Sequence, residues 1–257
     1  MRALAVDWSG ARAPGAQRRA IWVAEAIDGV LSRLSGGFTR DEAVDAVLRG
    51  AHPGVVVGFD FSFSFPRWFV DAIGAADGPG AWEVVAAEGE AWLEACAPPF
   101  WGRPGRPCPP TDPGRPAWRR TETGPLRPKS TFQVGGAGSV GTGSVRGMPH
   151  LRRLRDGGVA VWPFDEPDPG RPVAAEVYPR WATGPVRKAS AVARAAHVAG
   201  LGAAVPPRFE KAVTSCEDAF DAACTAVVLS RGEWEWPVTD GTDRAEGRIL
   251  PLPFGGG

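Results

Sequence analysis

No run of 18 apolar residues occurs in this 257-residue chain, so the sequence offers no membrane-spanning helix. The opening residues, MRALAVDWSG, reach an acid at position 7 without the long apolar stretch of a secretory signal. Cysteine is scarce: four are present, at 96, 108, 216 and 224, and no two form a C-x-x-C pair. This pattern gives little support to a zinc site and reads as four reduced thiols in a cytoplasmic protein. There is no G-x-S-x-G motif and no evident nucleophilic cysteine. The three histidines, His52, His150 and His197, are scattered, and none is assigned a catalytic role. No internal repeat is visible.

What is present suits a soluble globular chain. Apolar residues make up 44% of it, and the length fits one large domain or one domain with a sizeable insertion. Formal net charge is zero, but it is unevenly spread. Residues 103–155 hold eleven Arg or Lys and only two acids, Asp112 and Glu122, which leaves the remainder of the chain acidic. A basic segment on an acidic body suggests an anionic partner for that segment; a solvated arginine-rich loop is the other reading.

The pattern predicts a strand through ALAVD, then two strands, RAIWVAEAID and GVLSRLSGG, joined by an Asp28-Gly29 turn. A helix follows with Thr39 and Glu42 as a capping box. GVVVGFDFSF reads as a central strand buried on both faces and ending at Asp60. Helices are expected after Pro66, and irregular structure rich in Arg, Pro and Gly from about residue 97 to 150, with STFQV as a short strand. A helix starting near Pro149, strands VAVWPFD and PVAAEVYPR, and the helices KASAVARAAHVAGL and SCEDAFDAACTAVVLSR complete the order, with EGRILPLP adding a strand or covering the sheet. That order is the order of an α/β ribonuclease-H-like domain. Its mixed sheet has an antiparallel first half, then parallel strands, with helices on both faces and right-handed crossovers. The whole chain, residues 1–257, is expected to be this one domain, interrupted by the insertion.

On that layout five acids converge. Asp7 and Asp60 end neighbouring strands, Glu176 lies in AAEVYP, and Asp218 and Asp221 sit one turn apart on the last helix. A buried carboxylate without a partner is costly, so converging carboxylates make sense with cations. Hard oxygen donors favour Mg²⁺ or Mn²⁺, and two such ions about 3.5–4 Å apart can drive phosphodiester hydrolysis. Each acid also has a structural alternative. Asp218 can complete a capping box with Ser215 as N-cap, and Asp221 can face solvent. Asp7 and Asp60 can begin turns, and Glu176 can form a buried ion pair with an arginine such as Arg180.

The blocks VDWSG, GFDFSFSFP, KSTFQVGGAGSVGTGSVRGMPHL, WPFD, EVYPR, EDAFDAACTAVV and EGRILP resemble the family catalogued as domain of unknown function 429. That family is described as predicted nucleases of ribonuclease-H fold. The Asp-x-x-Asp helix is similar to that of RuvC-type resolvases. The resemblance implies a metal-dependent, nuclease-like site at Asp7, Asp60, Glu176, Asp218 and Asp221, with Asp7, Asp60, Asp218 and Asp221 as metal ligands and Glu176 as a ligand or general base.

GAGSVG at 136–141 fits G-x-G-x-x-G, but Gly143, Gly147 and Pro149 are expected to delay a helix, so a dinucleotide site is rejected. The loop, with Ser139, Thr142 and Ser144 and flanked by Lys129 and Arg146, can instead form an anion nest. Arg119 and Arg120 are further candidates for substrate phosphates. Trp101 and Trp118 either stack bases or anchor the insertion. The expected function is divalent-metal-dependent nuclease or phosphodiesterase action on nucleic acid or a phosphate-containing small molecule. The alternatives are an actin-like phosphotransferase and a non-catalytic nucleic-acid-binding protein.

Overall fold

Alternation along the first strand sets the architecture. In β1 (Arg2–Asp7), Leu4 and Val6 face one side of a sheet and Ala3 and Ala5 the other, and all four are buried. The computed structural model describes residues 1–110, 112–123, 127–136 and 138–253. Within them a six-stranded sheet has the order β3-β2-β1-β4-β6-β5. Its other strands are β2 (Trp22–Ile27), β3 (Val30–Gly36), β4 (Val56–Phe59), β5 (Ala160–Val161) and β6 (Val173–Glu176). The β1–β2 and β2–β3 pairs are antiparallel, whereas β1–β4, β4–β6 and β5–β6 are parallel. The expected mixed α/β sheet, antiparallel and then parallel, is therefore present.

Helices cover both faces. Helices α2 (Arg40–Gly50), α4 (Gly78–Ala95) and α5 (Gly141–Asp156) share a core with Leu4, Val6, Val57 and Phe59. Across the sheet, α7 (Ala191–Leu201), α8 (Pro207–Ser215) and α9 (Glu217–Arg231) pack on Ala5, Ala24 and Leu31. The small side chains of β1 let α9 lie close. At Gly58 of β4 a Cβ would stand only 2.8 Å from Leu229 Cδ1. Short helices α1 (Pro14–Ala20), α3 (Arg67–Ala72), α6 (Pro179–Thr183) and α10 (Gly241–Glu246) complete the described elements. Among the described residues no helix is long and apolar enough to cross a membrane, and all four cysteines are free.

Beyond β4 the chain bends through Phe61, Ser62, Phe63, Ser64 and Phe65, all buried. Each buried phenylalanine contributes roughly 2–3 kcal/mol, and the serines are satisfied: Ser62 N–H donates to Ser144 Oγ and Ser64 Oγ to Ala245 O.

Several local expectations are corrected. Helix α1 lies between the first two strands, with Pro14 in its first turn. STFQV is no strand; Gln133 makes a single bridge to Trp101. Helix α5 begins at Gly141, with Pro149 inside it. Tertiary packing outranks propensity there. A Cβ at Gly147 would meet Phe61 Cε2 at 2.6 Å, and one at Gly89 of α4 would meet Val145 Cγ1 at 2.7 Å, so both glycines permit a close approach. The VAVWPFD strand shrinks to β5. In the tail, Ile249 bridges Glu176 and Leu250 N–H donates to Glu176 O.

Candidate functional site

The parallel strands β1, β4 and β6 all end at one edge of the sheet, the usual place for a ligand in an open α/β sheet. In the β1–β4 register Val6 faces Phe59, so Asp7 and Asp60 follow side by side. The Trp8 N–H donates to Asp60 Oδ1 at 2.6 Å and fixes that carboxylate. Helix α9 brings the other two acids. Its N-cap is Cys216, with no side-chain cap, and Ser215 belongs to the preceding helix α8. The Ser215–Asp218 capping box is therefore absent, and Asp218 is left half-buried beside the cavity. Asp221, only 9% exposed, is not on a solvated face. Asp7, Asp60, Asp218 and Asp221 all line one cavity of about 700 Å³.

The electrostatics of this cluster are unfavourable without a cation. Burial, then the charges of Asp60, Asp221 and Asp218, hold the Asp7 carboxyl well above its usual range. Burial, with Asp221 and Asp218 adding to it, pushes Asp60 up to about 7 despite the Trp8 N–H. Burial and Asp221 raise Asp218 to about 6, and burial raises Asp221. Among the described residues Lys188 is the main cation that answers them, and Arg180 adds to it at Asp221. Lys188 Nζ, on the segment between α6 and α7, donates to Asp221 Oδ2. Burial pulls its pKa down, but Asp221, Asp7 and Asp60 outweigh this and raise it. Arg194 of α7 holds the Lys188 carbonyl with one nitrogen, while its Nε donates to Thr214 O at 3.0 Å. Sequence reasoning missed Lys188. Its signal was compositional: the chain has only three lysines, Lys129, Lys188 and Lys211, and the first two line this cavity.

The donor set can be tested against a metal ion. Asp221 Oδ1 is buried with no hydrogen-bond partner, and the Asp7 carboxylate receives no hydrogen bond among the described residues. These free lone pairs, all oxygen, fit Mg²⁺ or Mn²⁺ in kind. Among the described residues no three Asp, Glu, His or Cys side chains are gathered tightly enough to hold one ion as they stand. Lys188 carries the positive charge there instead, so an ion would need Lys188 drawn back and the carboxylates drawn in.

The fifth acid plays a different part. Glu176 borders the cavity, but both of its oxygens accept from Arg119, Nη1 to Oε2 at 2.8 Å and Nη2 to Oε1 at 2.5 Å. Phe63 N–H also donates to Oε2 at 3.0 Å. Glu176 is thus neither a free ligand nor a free base. Its ion-pair partner is Arg119 rather than Arg180, whose guanidinium donates to Val186 O. Arg119 is fully buried and also pairs with Glu122, so it cannot meet a substrate phosphate. This triad pins the insertion to β6.

Other basic candidates are likewise committed. Arg120 pairs with Asp240 and Asp243 beside a separate cavity, and Arg146 bonds Glu90 and the Gly10 carbonyl. Arg152, Arg153 and Arg155 pair with Glu83, Asp41 and Asp45, and Asp165. Six of the segment's eleven basic residues thus pair with acids of the same chain. Trp101 is buried against Trp118, which carries Arg127 on its face at 3.6 Å, so these rings anchor the insertion. Ser144 is buried and bonded to Val140 O and Ser62 N. Lys129, Ser139 and Thr142 do reach the main cavity; Ala137 of the glycine loop lies outside the described residues. His150 packs edge-on to Trp8, and burial lowers it to about 4, so it is neutral near pH 7.

Comparison with protein-family models, with curated proteins and with solved structures finds no match for this chain.

Proposed function

We propose that the chain is a divalent-metal-dependent phosphodiesterase, nuclease-like in its chemistry, on a ribonuclease-H-like fold of the kind described for the domain of unknown function 429 family. The observation that carries this reading is the convergence of Asp7, Asp60, Asp218 and Asp221 on one cavity, where their pKa values are raised and the nearest positive charge is Lys188. The strand order supports the fold. With the two-residue β5 set aside, it is 3-2-1-4-6, with two antiparallel and then two parallel pairs.

Mg²⁺ or Mn²⁺ held by these four acids would supply charge neutralisation and Lewis-acid activation of a water and of the phosphate. The chain's own residues do the rest. Asp60 is oriented by the Trp8 N–H, and Lys188 balances the charge of Asp221 until an ion takes its place. The Arg119–Glu176 pair holds the end of β6 in place beside the cavity. In the net step the water oxygen bonds to phosphorus, one ester P–O bond breaks, and the departing oxygen takes a proton. An actin-like phosphotransferase duplicates its domain, whereas the described residues form one six-stranded sheet.

The test is an assay with Mg²⁺ and with Mn²⁺ on DNA, RNA and bis(p-nitrophenyl) phosphate. Turnover is expected to vanish on chelation and in Asp7→Asn, with an unchanged circular dichroism spectrum. Cleavage of none of these substrates with either ion overturns the proposal. Nucleic-acid binding without turnover would favour the non-catalytic reading.

A further inference from the structure

Part of the cavity lining has the reverse polarity to the carboxylates. It is built from the glycine loop and the start of α5, a helix of 16 residues whose N-cap, Val140, offers no side-chain acceptor. Gly141 N–H donates to Gln133 O and Ser144 N–H to Val140 O. The Thr142 and Gly143 N–H groups between them find no acceptor among the described residues. Free N–H groups at a helix start, reinforced by the helix dipole, favour an anion.

Two further observations point to a ligand here. The Trp8 indole N–H is buried without a partner, and Trp8 itself is only 8% exposed. Trp8 Cδ1, the ring atom bonded to this nitrogen, lies 3.9 Å from where a Gly143 Cβ would stand, so the indole packs beside the first turn of α5. Lys129 is exposed and lines the cavity, with its Cε 4.0 Å from the Cβ position of Gly138. Gly10 brings the two walls together. A Cβ there would lie 2.6 Å from Gly143 N, so the loop after Asp7 sits directly on the first turn of α5.

We propose that this wall is a phosphate subsite, formed by the start of α5 and Lys129, and that the substrate is a compact phosphate ester of about mononucleotide size. The inference rests on the hydrolase reading above and narrows its substrate. A cavity of about 700 Å³ matches a small ligand. Extended nucleic acid would need a row of free cations. Of the eleven basic residues in 103–155, Arg119, Arg120, Arg146, Arg152, Arg153 and Arg155 are spent in ion pairs within the chain.

Calorimetry on the full chain in chelator tests this, with inorganic phosphate, adenosine 5′-monophosphate, an oligothymidylate and a DNA duplex as probes. The monophosphate is expected to bind, about tenfold or more weakly in Lys129→Ala, with binding kept in Lys129→Arg. The oligonucleotides are expected to bind no more tightly, with a salt slope of about one or two phosphates. Affinity that climbs with oligonucleotide length and salt slope overturns the inference in favour of a nucleic-acid groove. Mn²⁺ bound and diesters cleaved, but no phosphate or monophosphate bound, overturns this inference alone. Monophosphate bound at Lys129 without any metal-dependent turnover overturns the hydrolase reading while the subsite stands.

Discussion

Replacing Asp60 by asparagine is expected to stabilise the metal-free protein at neutral pH. The substitution keeps the acceptor for the Trp8 N–H, which donates to Oδ1 at 2.6 Å, and removes one ionisable group from the cluster of four carboxyls. Burial pushes the Asp60 carboxyl from 3.8 up to about 7. A folded-state pKa above the unfolded value means that stability is fully present below about pH 4 and declines as pH rises toward 7. At 1.36 kcal/mol per pKa unit the penalty reaches up to about 4 kcal/mol at pH 7. Urea denaturation of wild type and Asp60→Asn in chelator, at pH 4 and at pH 7, measures it. Asp60→Asn should be more stable by about 1–4 kcal/mol at pH 7 and nearly equal to wild type at pH 4. An Asp60→Asn protein that is less stable than wild type at pH 7 would refute the premise that these acids repel one another in the metal-free fold.

Other perturbations separate the site from its scaffold. Lys188→Ala leaves Asp221 buried beside Asp7 and Asp60, so chelated protein should lose on the order of 1–3 kcal/mol, and added Mn²⁺ should restore it, as read by thermal melts with and without the ion. Arg119→Met strands Glu122 and Glu176 in the interior, which should cost about 3–5 kcal/mol in denaturant unfolding and expose the insertion to protease. Gly58→Ala drives a methyl group into Leu229 and Val177 and should cost roughly 1–3 kcal/mol, with the same melting cooperativity but a lower midpoint.

Much of the fold was legible because periodicity and order determine it. ALAVD and GVVVGF are short and apolar on both faces, and they became the adjacent parallel strands β1 and β4. Placing Asp7 and Asp60 at the ends of those strands needed only this adjacency. Asp221 followed from the rigid spacing of a helix. What stayed hidden depended on contacts distant in sequence. The glycines of GTGSVRGMP read as a loop, yet they are the close-packing positions of α5 against Phe61 and the β1–α1 loop. Arg119 and Glu176 are 57 residues apart, and no local pattern shows that one neutralises the other. The arginines of the insertion looked like a binding surface because their partners, such as Glu83, Glu90 and Asp240, lie elsewhere in the chain. Lys188 sits on an irregular segment with no periodicity, so only its rarity marked it.

The most direct measurement is an anomalous difference map from crystals soaked in Mn²⁺. A peak among the Asp7, Asp60, Asp218 and Asp221 oxygens is expected, with Lys188 Nζ withdrawn from Asp221. A map with no peak there, and Lys188 still bonded to Asp221 at saturating Mn²⁺, would contradict the metal-dependent site.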